Sequence, residues 1–330
     1  MLSAKTIEIV KSTAPVLAEH GENITALFYT KLFDNHPELK HVFNMTNQAK
    51  GEQKKALASA VFAYATHIDK LEALGPAVTR IAHKHASLQV VPEQYPIVGK
   101  FLLEAICDHL SLAADDPIII AWGEAYGALA AIFVKTEEDI YQDNEDKEGG
   151  WRGDRTFVIS DIVDEAAEVK SFYLKPKDGQ AIATWQPGQY VGVKTTPDTS
   201  EHTEVRQYSL TNAPNNAIYH ITVKADAAHP EKAGVVSNYL HAASIGDEVL
   251  IQPPTGEFVV QNDADDIVLL AGGVGITPVL SMLLDRIETG RDVSKLTFIQ
   301  CCRDASHHIK GETLNSNPSA VYRKKQCYCR

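Results

Sequence analysis

The sequence predicts a multidomain fold of class α + β + α/β, in which an all-helical domain, an antiparallel β-barrel and an α/β domain follow one another. Three observations predict it. Apolar residues recur at helical spacing from Ser3 to about Tyr141. Short β-rich runs separated by Pro, Gly, Asp and Asn come next, and from Asp266 a strand, a helix and a second strand follow in that order. At 330 residues the chain is also longer than one hydrophobic core usually organises.

Composition and charge limit the classes of function. A net charge of -12 argues against a general nucleic-acid-binding protein, because phosphate neutralisation needs clustered Lys and Arg. The N-terminus MLSAKTIEIVKST lacks the apolar run of a signal peptide, and an odd count of five cysteines is typical of reduced thiols. The uncharged stretch Ile267 to Leu284 contains glycines and Pro278, so it indicates a strand, a turn and a helix. We therefore expect a cytoplasmic monomer with no transmembrane segment, acting on small molecules.

The helical part contains one histidine whose position calls for an explanation. In the stretch VTRIAHKHASLQVVPEQYPIVG, steps of 100° place His85 on an apolar stripe with Val78 and Ile81, whereas His83 faces water. A histidine on an apolar stripe is usually a core residue bonded to a backbone carbonyl. Its ring can instead bind a metal while a partner holds the second nitrogen. Periodicity alone leaves both interpretations open.

The second half divides into a linker, a barrel and an α/β unit. The stretch YQDNEDKEGGWRGD is polar and acidic, which is typical of a linker. The runs TFVIS, SFYL, YVGV, YSL, YHITV and EVLI predict the barrel strands. The expected boundaries are 1–140 for the helical domain, 141–152 for the linker, 153–262 for the barrel and 263–330 for the α/β domain, with an atypical tail after about residue 309.

Two stretches carry the chemistry of phosphate binding. AGGVGITP follows an apolar strand and opens a helix, which is the context of a nucleotide-phosphate loop. GVVS opens a short helix, whose free amide groups bind phosphate. A glycine-rich turn alone is a moderate signal, and the Arg-x-Tyr-Ser pattern of RQYS alone is a weak one.

The helical part resembles the globin domain of flavohaemoglobins, on the residues ALFYTKLFDNHPELKHVFNM, GEQKKAL, IAHKHASLQVVPEQY and FVKTEEDIY. The resemblance implies that His85 is the proximal ligand of haem b iron, in a hydrogen-bonded triad with Tyr95 and Glu137. It also implies that Tyr29 and Gln53 lie on the opposite face, where they donate hydrogen bonds to dioxygen. Further haem contacts that the resemblance implies are those of Phe43, Leu57 and Lys84. By themselves, these side chains would be ordinary core or surface residues.

The order of the three domains also resembles that of flavohaemoglobins, and PGQY followed by RQYS resembles the flavin site of the ferredoxin-reductase family. The resemblance implies FAD as a second cofactor and NAD(P)H as electron donor. The implied FAD contacts are those of Tyr190, Arg206, Gln207, Tyr208, Ser209, Gly234 and Ser237. The implied NAD(P)H contacts are those of Gly272, Gly273, Val274, Gly275, Ile276, Thr277 and Pro278.

The C-terminal part departs from the family pattern. Flavohaemoglobins continue with a Cys-Gly-Pro motif and a terminal Cys-Phe-Gly-Pro, whereas this sequence ends in KGETLNSNPSAVYRKKQCYCR, a polar and basic stretch without strand periodicity. We expect a truncated or frameshifted chain with an incomplete nicotinamide-binding domain, exposed apolar surface and impaired hydride transfer.

The resemblance implies a nitric oxide dioxygenase, which oxidises nitric oxide to nitrate with dioxygen and electrons from NAD(P)H through FAD. Two alternatives stay open at this point. One is a haem protein that only binds oxygen or another gas, because its reductase half is impaired. The other is a flavin diaphorase whose helical domain lacks haem. The choice between NADH and NADPH is also open.

Overall fold

The computed structural model describes residues 2–197, 201–226, 234–261 and 266–310, together with the backbone of a strand at 323–328. The chain divides into two compact units, Met1–Ile140 and Tyr141–Arg330. The first unit is helical, and the second contains two β-sheets. The predicted boundaries at residues 152 and 262 fall inside the second unit, and they stay predictions.

The first unit is a bundle of helices, as the apolar periodicity predicts. On α2, Ile24, Phe28 and Leu32 recur every fourth residue and are fully buried with Ile106 of α6 in one core. The Ser3 side chain caps the first helix by accepting from the backbone N–H of Thr6 at 3.0 Å. The helices are α1 (Ala4–Ser12), α2 (Ala14–Asn35), α3 (Met45–Lys50), α4 (Glu52–His67), α5 (Gly75–Ala86), α6 (Gln94–Leu110) and α7 (Pro117–Glu145).

The long helix α7 extends further than the sequence predicts. It continues to Glu145, so the first five residues of the predicted linker are helical, and Tyr141 and Asn144 are buried. By length and composition, α7 is also apolar enough to cross a membrane. However, Trp122 and Ala125 of α7 lie in the core of the helical bundle, and a core helix meets the same two criteria.

The second unit begins with a six-stranded antiparallel sheet of order β4-β3-β6-β1-β2-β5. Each of the six predicted runs lies in or overlaps one of these strands, because β-branched and aromatic residues bounded by turn-forming residues encode them. The edge strands meet just after β4, where Leu210 pairs with Ile221, so the sheet curls into the predicted barrel. The strands are β1 (Arg155–Ala166), β2 (Val169–Pro176), β3 (Tyr190–Thr195), β4 (Glu204–Ser209), β5 (Tyr219–Lys224) and β6 (Glu248–Ile251), and helix α8 (Val235–Ala242) follows β5.

The remaining part of the second unit is a parallel sheet of order β7-β8-β9 with a helix between its first two strands. Its elements are β7 (Ile267–Gly272), α9 (Ile276–Glu288), β8 (Leu296–Cys302) and β9 (Arg323–Tyr328). The stretch Ile267 to Leu284 therefore forms the predicted strand, turn and helix. Ile276, Leu280 and Leu283 of α9 are fully buried in the core that includes Leu269 of β7.

Two features of this sheet do not follow from the apolar and polar pattern of its sequence. First, the apolar residues Val268 and Leu270 of β7 are each 63% exposed. Alternate residues of β7 point to opposite faces, and α9 packs on only one of them. Second, the tail contains a strand, β9, that pairs in parallel with β8. Main-chain hydrogen bonds form this pairing. They can therefore form although the sequence RKKQCY does not alternate between apolar and polar residues.

A buried histidine in the barrel gives a testable dependence of stability on pH. His220 of β5 stacks on Tyr173 at a centroid distance of 4.3 Å, and burial, aided by the charge of Lys310, lowers its pKa to about 3. Folded His220 therefore stays neutral, whereas unfolded His220 takes up a proton below its ordinary pKa of about 6.5. We expect stability to fall progressively from about pH 6.5 to pH 3, by roughly 1.4 kcal/mol per unit of pKa difference.

Urea unfolding at several pH values measures this effect. In His220→Gln, the free energy of unfolding should fall less between about pH 6.5 and pH 3 than in the unsubstituted protein. His67→Gln, which changes an exposed histidine, should show the unsubstituted protein's full decrease. An equally steep limb in His220→Gln would assign the acid sensitivity to other groups.

Candidate functional site

Three side chains from three helices form one hydrogen-bonded cluster in the helical unit. His85 lies in the last turn of α5, Tyr95 in the first turn of α6 and Glu137 near the end of α7. The His85 Nδ1 atom lies 2.7 Å from Glu137 Oε1 and 3.1 Å from the Tyr95 hydroxyl. The Tyr95 hydroxyl donates to the same Glu137 oxygen at 2.5 Å. The Glu137 side chain is only 4% exposed, so these bonds satisfy a carboxylate oxygen that lies largely out of contact with water.

This network fits a histidine that binds a metal through its other ring nitrogen. Because a carboxylate only accepts, Nδ1 carries the proton and Nε2 keeps its lone pair. In the described part of the chain, no hydrogen bond to Nε2 is found. The same residues contain no cluster of three His, Cys, Asp or Glu side chains that could hold a metal ion. A single imidazole fits haem iron, because the porphyrin supplies the in-plane ligands.

The residues predicted for the opposite haem face lie on α2, α4 and the segment between α2 and α3. The rings of Tyr29 and Phe43 meet edge to face at 5.8 Å, and Phe33 contacts both. Burial raises the pKa of Tyr29, so its hydroxyl stays protonated and available as a donor. The Gln53 Oε1 atom is buried without a hydrogen-bond partner within the described residues. Such an orphaned amide fits a polar ligand beside it.

The last two predicted haem contacts differ in exposure. Leu57 lies one turn after Gln53 on α4 and packs against the core that includes Tyr29. Lys84 precedes His85 on α5 and is exposed. The roles of both residues stay predictions.

The cluster also has a support that the sequence did not indicate. The Tyr126 hydroxyl of α7 donates to the backbone carbonyl of Tyr95 at 2.7 Å, so it fixes the start of α6. Gly99 allows this contact, since a Cβ atom there would lie 2.4 Å from Cε1 of Tyr126. No sequence pattern signals a contact between α6 and α7 of this kind.

We expect Gly99→Ala to displace Tyr126 and destabilise the helical unit by about 1–3 kcal/mol, as overpacking of a core does. Thermal or urea unfolding measures the loss. Gly127→Ala is the matched control, because a Cβ atom at this exposed position of α7 meets no heavy atom within 4 Å. It should be neutral or stabilise the helix by up to about 1 kcal/mol. Equal effects of the two substitutions would contradict the role of the contact.

The residues predicted to contact a flavin lie on two paired strands. Tyr190 of β3 lies opposite Ser209 of β4, and the next three residues of β4 towards its start are Tyr208, Gln207 and Arg206. Burial raises the pKa of Tyr208, which therefore keeps a neutral ring surface of the kind that packs against an isoalloxazine. The strand pair brings all five predicted residues to one region of the barrel.

Glu204 belongs to this region and was missed by the sequence reasoning. Its buried carboxylate lies 2.9 Å from the Arg206 guanidinium. Residues two apart on a strand share a face, so the spacing of Glu204 and Arg206 could have indicated an ion pair between them. The pair orients Arg206, whose planar and permanently charged guanidinium is of the kind that binds pyrophosphate.

The N-terminus of α8 is the predicted phosphate site of the barrel. Gly234 is its N-cap, and the Ser237 hydroxyl donates to the Gly234 carbonyl at 3.1 Å. A Cβ atom on Gly234 would lie 2.6 Å from Ser237 Oγ, so a larger residue here would displace the Ser237 side chain. The free amide groups of this turn suit a phosphate.

The predicted nucleotide loop connects β7 to α9. Gly273 has a positive φ of 52°, and Cβ atoms on Gly272, Gly273 and Gly275 would meet no heavy atom of the described chain within 4 Å. Packing within the described chain does not require glycine at these three positions, and their contact with a dinucleotide stays a prediction. Ile276 is fully buried, so the structure exposes no atom of this predicted contact residue to a dinucleotide. The other predicted residues of the loop are Val274, which packs against the core, Thr277, which is buried, and Pro278, in the first turn of α9.

Family models match three consecutive parts of the chain. Residues 26–133 match the globin family. Residues 156–260 match the oxidoreductase FAD-binding domain, and residues 264–312 match the ferric reductase NAD binding domain. The predicted fold class is confirmed by these matches and by the architecture of the sheets and helices.

Comparisons with whole proteins agree. A flavohaemoprotein from Halalkalibacterium halodurans is 46% identical over 321 residues, which are 96% of this chain and 78% of the relative. The crystal structure of a flavohaemoglobin from Malassezia yamatoensis with bound FAD and haem superposes with a TM-score of 0.87 and 25% identity, covering 99% of this chain and 84% of that one.

A third comparison covers the second half of the chain. The FAD/NAD binding domain of nitric oxide dioxygenase from Vibrio cholerae matches with a TM-score of 0.51 and 36% identity, covering 54% of this chain and 75% of that one. The resemblance inferred from the sequence is therefore confirmed. The chain belongs to the flavohaemoprotein family.

Proposed function

We propose that the chain is a nitric oxide dioxygenase that binds haem b at His85 and FAD in the barrel, and that takes electrons from NAD(P)H. The observation that carries the proposal is the network of His85, Tyr95 and Glu137, with both hydrogen bonds to one buried carboxylate oxygen. A globin that only stores oxygen does not need a carboxylate behind its ligating histidine. The name of the Vibrio cholerae relative supports the same activity.

In the helical unit, the residues would act on both sides of the haem. When bound, haem iron supplies the centre at which dioxygen and nitric oxide combine. Glu137 accepts the Nδ1 proton of His85 in a strong hydrogen bond, which makes Nε2 a more basic ligand. On the other side, the protonated hydroxyl of Tyr29 and the amide of Gln53 would orient dioxygen by hydrogen bonds.

In the second unit, the residues would bind and orient the electron carriers. FAD, when bound, accepts a hydride and releases its two electrons singly. Arg206, held by Glu204, would bind the pyrophosphate, and Tyr208 would lie against the flavin ring. The turn from Gly272 to Gly275 would bind the phosphates of NAD(P)H at the start of α9.

The test is nitrate formation by the purified chain, expressed with an adequate supply of haem and FAD. Nitric oxide, dioxygen and NADH or NADPH are supplied, and two nitrates are expected for each NAD(P)H oxidised, because each nitrate requires one electron. Oxygen binding without nitrate would contradict the proposal and favour a gas-binding protein. NAD(P)H oxidation without a Soret band would favour the flavin diaphorase.

One spectrum under nitrogen separates the two halves of the proposal. If the second unit supplies electrons, NAD(P)H reduces the haem rapidly without dioxygen. If dithionite reduces the haem and NAD(P)H does not, the helical unit is intact and hydride transfer is impaired.

A further inference from the structure

Phe133 is a buried aromatic residue beside the cluster around Glu137. It is 8% exposed and lies on α7 one turn before Glu137. In the described part of the chain, its contacts with other rings are with His85, at a centroid distance of 5.6 Å, and Tyr95, at 6.4 Å. These ring contacts join Phe133 to two of the three members of the cluster.

The three rings enclose the hydrogen bonds to the carboxylate. Phe133 is nearly parallel to Tyr95, with an interplanar angle of 19°, and it is tilted by 47° to His85. The His85 and Tyr95 rings also meet directly at 6.3 Å. An aromatic ring stacked on a phenol restricts rotation of that phenol, so the Tyr95 hydroxyl stays directed at Glu137.

The Glu137 side chain, one turn after Phe133 on α7, is only 4% exposed to water. Hydrogen bonds to a carboxylate are stronger where water is excluded, because the local dielectric constant is lower. A leucine at position 133 would keep an apolar side chain but lose the flat surface that covers both rings.

We infer that Phe133 is a positioning residue that holds Tyr95 and His85 on Glu137, and so determines how strongly His85 donates electrons to iron. The inference rests on the haem site proposed above. Phe133 touches no reacting atom, and it acts through the two hydrogen bonds to Glu137 Oε1.

The test uses resonance Raman spectra of the ferrous full-length protein with haem. In Phe133→Leu, the iron–histidine stretching band should broaden and shift to lower frequency, towards the position in Glu137→Gln. Nitric oxide turnover should fall about tenfold, the lower end of what loss of a partner behind a ligating histidine costs. The KM for NAD(P)H should not change. Phe133→Tyr, which keeps the ring, should restore the band.

The matched control is Phe101→Leu, because Phe101 is also buried in the helical unit and its ring contacts His36 instead. This variant should leave the band unchanged. If Phe133→Leu does not fold, Phe133→Met, which changes the volume little, takes its place. If Glu137→Gln shifts the band but a haem-loaded Phe133 variant does not, the role of Phe133 is overturned while the haem site stands. Absence of a Soret band in the unsubstituted protein would overturn the haem site as well.

Discussion

Replacement of His85 by alanine is expected to abolish the Soret band of the purified protein and to lower nitric oxide turnover at least about a hundredfold. The physical reason is that His85 offers the metal one nitrogen, Nε2, while Nδ1 is bound to Glu137 and Tyr95. Removal of the ring deletes the metal ligand, whereas loss of a partner behind a ligand costs about 10- to 100-fold. Haem content by absorbance and nitrate formation are the two measurements.

The neighbouring histidine provides the control. His83→Ala changes the same residue type two positions earlier on α5, outside the hydrogen-bonded cluster, and it should retain the band. Added imidazole should restore part of the colour in His85→Ala, because it can occupy the space that the ring leaves. Unchanged haem content in His85→Ala would contradict the whole assignment of the helical unit.

Replacement of Glu137 by glutamine is expected to lower turnover by about 10- to 100-fold while haem stays bound. The amide keeps the shape of the side chain but loses the charge that strengthens both hydrogen bonds to Oε1. His85 then becomes a weaker electron donor, so the iron–histidine stretching frequency should fall. Stopped-flow kinetics and resonance Raman spectra check the two effects.

Glu138→Gln is the control for this substitution, since Glu138 is adjacent on α7 and exposed. It removes the same charge from the same turn of helix, and it should leave both the rate and the frequency unchanged. Equal losses in the two variants would mean that the net charge of α7 matters and the contact with His85 does not.

The fold was largely predictable because its elements carry a regular pattern. The six barrel strands are β-rich runs bounded by Pro, Gly, Asp and Asn, and α2 buries every fourth residue, so local composition and periodicity identified them. Strand β9 could not be identified in this way, because its sequence does not alternate and main-chain hydrogen bonds hold it. The helical start of the predicted linker was missed because buried Tyr141 and Asn144 lie in a run of acidic residues.

The candidate site was predictable only in part. Periodicity placed His85 on an apolar stripe, but the choice between core residue and metal ligand required the family resemblance. Glu204 could have been found from its spacing to Arg206. The contact between Gly99 and Tyr126 joins residues 27 positions apart on different helices, and tertiary packing alone determines it.

The single acceptor shared by Tyr95 and His85 has a chemical consequence. The Tyr95 hydroxyl and His85 Nδ1 both bond to one atom, Glu137 Oε1, so the phenol fixes the position of the oxygen that accepts from the imidazole. A chain with phenylalanine in place of Tyr95 would lack this anchor, and the imidazole would lose anionic character as its bond to the carboxylate lengthened. Evolution can therefore adjust the reactivity of the iron through one neighbouring phenol, without changing the ligand itself.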